Sequence, residues 1–132
     1  MVRTFKLKVY YEDTDFSGVV YHANYFKFIE RARGELVEAL GIDQSILHKN
    51  KITFVVRSLS AKFIKPTFFG DSLQVETIII KVGGASLWLR QKINKSNECV
   101  FEAEVKLALI SAGQVIRLPR ELKGKLSNWD VV

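Results

Sequence analysis

Asp15 and His22 are the residues of this chain whose types and spacing invite chemistry. They bound the run Asp15-Phe16-Ser17-Gly18-Val19-Val20-Tyr21-His22, an acid, a glycine bend and an imidazole just ahead of a long helical pattern. A solvated loop has no use for Val19-Val20-Tyr21, and a plain core strand does not take Asp and His. The combination places a charged group beside a helix N-terminus, whose free N–H groups and positive dipole end can hold a developing negative charge. Gly18 lets the backbone bend sharply between the acid and the helix. Simpler readings stand beside these. Asp15 can cap a turn, Asp13 competes for the acid role, and His22 can be a structural histidine that closes a pocket. Glu30 and Arg33, at helical i,i+3 spacing, can pair with each other. His48 sits in a basic stretch that reads as a surface loop. Cys99 shares its strand's apolar face, which makes it a core cysteine rather than a nucleophile.

The elements that position these residues follow from periodicity. Phe5, Leu7, Val9 and Tyr11 alternate with polar neighbours as a half-buried strand. From about His22 to Leu40 the period becomes helical, through Phe26, Ile29, Leu36, Val37 and Leu40, and Gly41 stands where a C-terminal cap belongs. The remainder reads as sheet. Val55 to Phe63 is one strand and Leu73 to Val82 the next. Gly83-Gly84 makes a turn, and Leu87, Leu89 and Ile93 mark the return. Cys99 to Leu109 forms a further strand, Val115 to Leu118 a short one, and Pro119 starts a short helix. One strand, one long helix and then consecutive strands describe an α+β domain, a curved antiparallel sheet of five to six strands around one helix.

Composition narrows the function classes. A chain of 132 residues reads as one domain over 1–132. With 48% hydrophobic and 26% charged residues it has the balance of a soluble globule. One cysteine forbids an intrachain disulfide, so a reducing cytoplasm is expected. The N-terminus lacks the apolar stretch of a signal peptide, and no run approaches the ~18 apolar residues that cross a bilayer. The net charge of +6 and pI near 9.5 favour a polyanionic partner. Nucleic acid is not expected, because no Arg/Lys-rich recognition helix or aromatic RNA-binding signature is present. There is no G-x-S-x-G elbow, P-loop or G-x-G-x-x-G. No Cys/His cluster has metal-ligand spacing, so neither metal nor cofactor is expected.

The block Tyr11-Glu12-Asp13-Thr14-Asp15, then Gly18-Val19-Val20-Tyr21-His22-Ala23-Asn24-Tyr25, Phe28 and Glu30-Arg31-Ala32-Arg33 resembles the signature of the hotdog-fold acyl-CoA thioesterases. Within them it is most similar to the YbgC branch, encoded with the Tol–Pal envelope system; the 4-hydroxybenzoyl-CoA thioesterase is a relative. Lys65-Pro66, Gly70-Asp71-Ser72-Leu73 and Arg117-Leu118-Pro119 extend the resemblance over essentially the whole chain. The resemblance implies a sheet wrapped around the long helix, two subunits joined edge to edge as a homodimer, and acyl-CoA at their interface. It puts Asp15 at the catalytic carboxylate and the His22 backbone N–H at the oxyanion donor. Where this chain has His22-Ala23 the 4-hydroxybenzoyl relative carries tyrosine-proline, while the YbgC branch carries His. Gly18, Val19, Tyr21, Asn24 and Tyr25 are the expected substrate-contacting residues.

The implied activity is hydrolysis of acyl-CoA to free fatty acid and coenzyme A. Thioester chemistry suits so spare a site, because a thiol with a pKa near that of free cysteine, ~8.5, leaves without an acid's help. A homotetramer, an acyl carrier protein partner and a peripheral position at the inner membrane are further expectations. The alternative is a non-catalytic scaffold of the same fold that holds acyl chains or an acyl carrier protein. A hydroxyacyl dehydratase, using His22 with Glu35, lacks its proline-flanked histidine motif here.

Overall fold

The computed structural model describes residues 2–127. Six strands form one antiparallel sheet in the order β1-β3-β4-β5-β2, with the short β6 paired to β5. They are β1 (Arg3–Lys8), β2 (Ile52–Phe63), β3 (Ser72–Val82), β4 (Ser86–Lys95), β5 (Glu98–Ser111) and β6 (Gln114–Ile116). The helices are α1 (Asn24–Ala39), α2 (Gln44–Lys49) and α3 (Arg120–Ser127).

Alternation in the strands puts one apolar set on the face that meets α1. Register aligns it in rows across the sheet, such as Phe5–Val75–Ile93–Phe101–Phe63. Tyr25, Phe28, Ile29, Ala32, Leu36 and Val37 of α1 are buried against this face. Each large side chain buried there contributes about 1.5–3 kcal/mol. The helix ends in a Schellman motif, as Gly41 at φ +78° directs its N–H to the Glu38 carbonyl at 2.9 Å and the Ile42 N–H reaches the Val37 carbonyl at 3.2 Å.

Three extra residues bend the sheet around the helix: Arg57 on β2, Ile80 on β3 and Val100 on β5. The Val100 bulge corrects one expectation. Cys99 pairs with Asn94 while Phe101 pairs with Ile93, so the inserted residue turns Cys99 off the buried face, and it is half-buried. The strand expected to run to Tyr11 stops at Lys8, and Tyr11–Asp13 forms a 3₁₀ turn instead. His48 lies in α2 rather than in a loop. The two glycines of the β3–β4 turn serve close approach. A Cβ on Gly83 would lie 3.1 Å from the Trp88 ring, and one on Gly84 3.2 Å from the Arg117 guanidinium.

The backbone of α1 lies over β1 and β3, away from β2. The free-edge strand β2 therefore keeps part of its apolar face open. Val56 is 46% exposed and Phe63 50%. Among the described residues no helix is long and apolar enough to cross a membrane.

Candidate active site

Residues 14–20 form a tight hairpin that closes on the start of α1. Thr14 bridges Val20, the Asp15 N–H donates to the Val19 carbonyl at 2.9 Å, and the Gly18 N–H donates to the Asp15 carbonyl at 2.9 Å. Gly18 has φ +83°, the left-handed conformation this turn requires. The hairpin is stitched to the chain after β2 by the Val20 N–H on the Thr67 carbonyl at 2.8 Å and by a bridge between Val19 and Phe68.

Asp15 sits at the exposed end of this hairpin. Its Oδ1 accepts the Ser17 N–H at 2.8 Å, an Asx turn that fixes the carboxylate and leaves Oδ2 without a protein partner among the described residues. The capping reading of Asp15 is thus satisfied by one oxygen, and the other is open for chemistry. Asp13 is different. It is buried, its Oδ2 takes the Tyr10 N–H at 2.8 Å, and its carbonyl takes the Tyr21 N–H at 2.9 Å and the Asn24 Nδ2 at 2.8 Å. Its Oδ2, N–H and carbonyl are thus all spent on holding the loop.

His22 follows at the base of the hairpin, ahead of the first turn of α1. The cap residue Ala23 has helical angles (φ −65°, ψ −22°), and no side chain caps this end. Asn24 N–H reaches the Tyr21 carbonyl at 2.8 Å, while Tyr25 and Phe26 make long bonds of 3.3 Å to His22 and Ala23. Among the described residues the His22 N–H meets no acceptor. No acid lies in the first turn, so the positive end of the helix is unneutralised.

The expected substrate contacts divide. Gly18 and Tyr21 are exposed, and Val19 is half-buried. The Tyr21 ring lies 4.6 Å from the imidazole of His22, which in turn meets Phe63 edge-on at 6.1 Å. Asn24 is committed to the Asp13 carbonyl. Tyr25 is only 4% exposed; its hydroxyl shares a 2.7 Å hydrogen bond with the Thr67 hydroxyl, and its ring stacks on Phe101 at 5.2 Å. Its side chain therefore belongs to the core beneath the hairpin. Phe63 and Phe101, which the sequence reading left as ordinary strand residues, complete this aromatic wall with Phe26.

Further along α1, Arg33 turns inward. Its Nη1 donates to Gln91 Oε1 at 3.0 Å, and the fully buried Gln91 donates to the Ile29 carbonyl at 2.9 Å and to Thr77 Oγ1 at 3.0 Å. Burial lowers the Arg33 pKa below its ordinary value, and the negative charge of Glu30 opposes that shift. The expected Glu30–Arg33 ion pair does not form within 4.0 Å. Glu35 is exposed, and at 1.5 Å per residue it lies roughly 20 Å along the helix from His22, which removes the dehydratase pairing. Among the described residues no three His, Cys, Asp or Glu side chains gather as a metal site.

The hairpin thus carries the Asp15 carboxylate, and the uncapped start of α1 carries the open His22 N–H with Phe63 beside the His22 ring. The profile of the thioesterase superfamily matches residues 17–100, beginning two residues after Asp15. The acyl-CoA thioesterase YbgC of Haemophilus influenzae is 37% identical over 123 residues, covering 91% of this chain and 90% of that protein. The chain belongs to the thioesterase superfamily. Among solved structures, a probable thioesterase from Bartonella henselae superposes with a TM-score of 0.87 at 36% identity, covering 90% of this chain and all of that one. A 4-hydroxybenzoyl-CoA thioesterase superposes with a TM-score of 0.88 over 96% of this chain and 99% of its own. At 17% identity, that likeness speaks for the hotdog fold alone. The chain stands among the superfamily's acyl-CoA thioester hydrolases.

Proposed function

We propose that this thioesterase hydrolyses acyl-CoA to free fatty acid and coenzyme A through Asp15 and the backbone N–H of His22. The observation that carries the reading is the uncapped start of α1, with the His22 N–H open at the base of the hairpin that holds Asp15. Water held by the free Oδ2 of Asp15 attacks the thioester carbon as Asp15 takes its proton. The oxyanion that forms is held by the His22 N–H and the helix dipole. Collapse breaks the C–S bond, and coenzyme A leaves as a thiolate. The His22 imidazole, packed against Tyr21 and Phe63, acts in support as part of the pocket wall.

In this reading one domain over 1–132 works as a cytoplasmic homodimer, the free β2 edge joining its copy. An acyl carrier protein partner and a peripheral place at the inner membrane extend it, both favoured by the net charge of +6, and a tetramer extends it by pairing two dimers. A panel of acyl-CoAs assayed for free thiol tests hydrolysis; no thiol from any of them would leave the scaffold alternative standing. A single turnover in ¹⁸O-water tests the route. Water activation puts label into the released acid, whereas direct attack by Asp15 gives an anhydride, unlabelled acid in the first turnover and label in the protein.

A further inference from the structure

We infer that Asn24 is a positioning residue, whose backbone and side chain together set how the Asp15 carboxylate faces the His22 N–H. This rests on the Asp15 and His22 reading above, and it takes Asn24 out of the expected substrate contacts.

The peptide unit between Tyr21 and His22 carries the oxyanion donor at one end and a carbonyl at the other. That carbonyl accepts the Asn24 N–H at 2.8 Å. A trans peptide is planar, with its carbonyl and N–H pointing in opposite directions, so the same bond fixes where the His22 N–H is aimed. The Asn24 side chain makes the second link. Its Nδ2 donates to the Asp13 carbonyl at 2.8 Å. Each reacting group thus stands two residues from one end of a single hydrogen bond, Asp15 from Asp13 and His22 from Asn24.

The other bonds of the region do different work. Those within the hairpin fix its shape, and those to Thr67 and Phe68 hold its far strand at Val19 and Val20. Asp15 is on the near strand, which starts from Asp13. The Tyr21 N–H on the Asp13 carbonyl at 2.9 Å closes the base of the hairpin but stops short of α1. In the first turn of α1, Tyr25 is tied to Thr67, on the far side. Among the described residues, Asn24 is the one side chain of that turn hydrogen-bonded to the near strand. An amide makes this link without charge, so the positive end of α1 is left to the oxyanion. The link is also separable from folding, because the Asp13 carbonyl keeps the Tyr21 N–H when the amide is removed.

A double-mutant cycle tests this with Asn24→Ala, Asp15→Asn and the two combined, each followed by thermal melting and by release of free thiol from acyl-CoA. Alanine favours the helix, so Asn24→Ala folds and melts within about 5 °C of wild type. Its kcat is expected to fall about 10–100-fold with KM within about twofold of wild type, the mark of a misplaced reacting group. In the Asp15→Asn background the same Asn24→Ala change costs less than about threefold, because no carboxylate is left to place.

An equal loss in both backgrounds, or an Asn24→Ala variant that does not fold, makes Asn24 a structural residue and overturns the inference. A raised KM with wild-type kcat makes it a substrate contact and overturns it as well. Asp15→Asn alone keeps the two readings apart. Wild-type activity in that variant rejects the role of Asp15, whereas its loss beside a fully active Asn24→Ala rejects the positioning only.

Discussion

The chain begins two of its helices in opposite ways. At α2, Asp43 has extended angles, and its Oδ1 accepts the N–H groups of Ser45 at 2.8 Å and Ile46 at 3.3 Å. At α1 the residue in the same position is Ala23, no side chain caps the helix and the first turn holds no acid. A six-residue helix needs its cap to exist, since so short a segment is unstable alone. The 16-residue α1 is held by its buried face and needs no side-chain cap: its first N–H groups turn to the carbonyls of Tyr21, His22 and Ala23, and the His22 N–H stays open. A side-chain cap is thus needed where a helix is short and dispensable where packing holds it.

That contrast can be broken from either side. The largest expected effect comes from Asp15→Asn. Its kcat falls about 10²–10⁴-fold, the scale of a lost general base, with the melting temperature unchanged. Activity within about threefold of wild type, or ~0.65 kcal/mol, would remove Asp15 from the mechanism. Next comes Ala23→Asp, which gives α1 the cap it lacks. A carboxylate there puts negative charge next to the His22 N–H, where it opposes the helix dipole and repels the developing oxyanion, so kcat drops about 10–10³-fold while the fold stays intact. An active Ala23→Asp enzyme would show that the oxyanion is held elsewhere.

The reverse change is Asp43→Ala, which removes the cap α2 has. Chemical denaturation should report a loss of about 0.5–2 kcal/mol with kcat within experimental error of wild type. A comparable fall in activity would mean that the two helix starts are not divided in this way. The smallest effect concerns capture. If the charge of +6 draws in the phosphates of coenzyme A, kcat/KM should fall as salt rises. The same acyl group on a small neutral thiol should show a much flatter salt profile. Equal slopes would detach the charge from substrate binding.

What is legible in the sequence depends on how far each feature lies from its cause. The strands of the sheet, α1 and its Gly41 terminus follow from local period and one glycine, and each is observed within a few residues of its expected bounds. The hairpin and helix start that carry Asp15 and His22 are equally local. α2 escaped because Gln44–Lys49 holds only Ile46 and Leu47, too few apolar positions to show a period. Asp43 ahead of it was the readable cue. Cys99 was misplaced because Val100 and Phe101 are both apolar, and an inserted residue between matching neighbours leaves no mark on the alternation. Tyr25 and Asn24 sit in the same motif as Tyr21, yet their partners are Thr67 and the Asp13 carbonyl. The tilt of α1 away from β2 is a tertiary result.

The bulge at Arg57 has a consequence for the exposed edge of β2. β2 offers twelve residues of backbone with one side unpaired, the kind of template on which foreign strands accumulate. Fibril growth favours flat, straight segments of six or seven residues. The bend at Arg57 divides the edge into two shorter, differently twisted runs, and neither presents a long flat ladder. A straight segment from another protein can match only half of it. Resistance to foreign edge pairing is therefore built into one inserted residue.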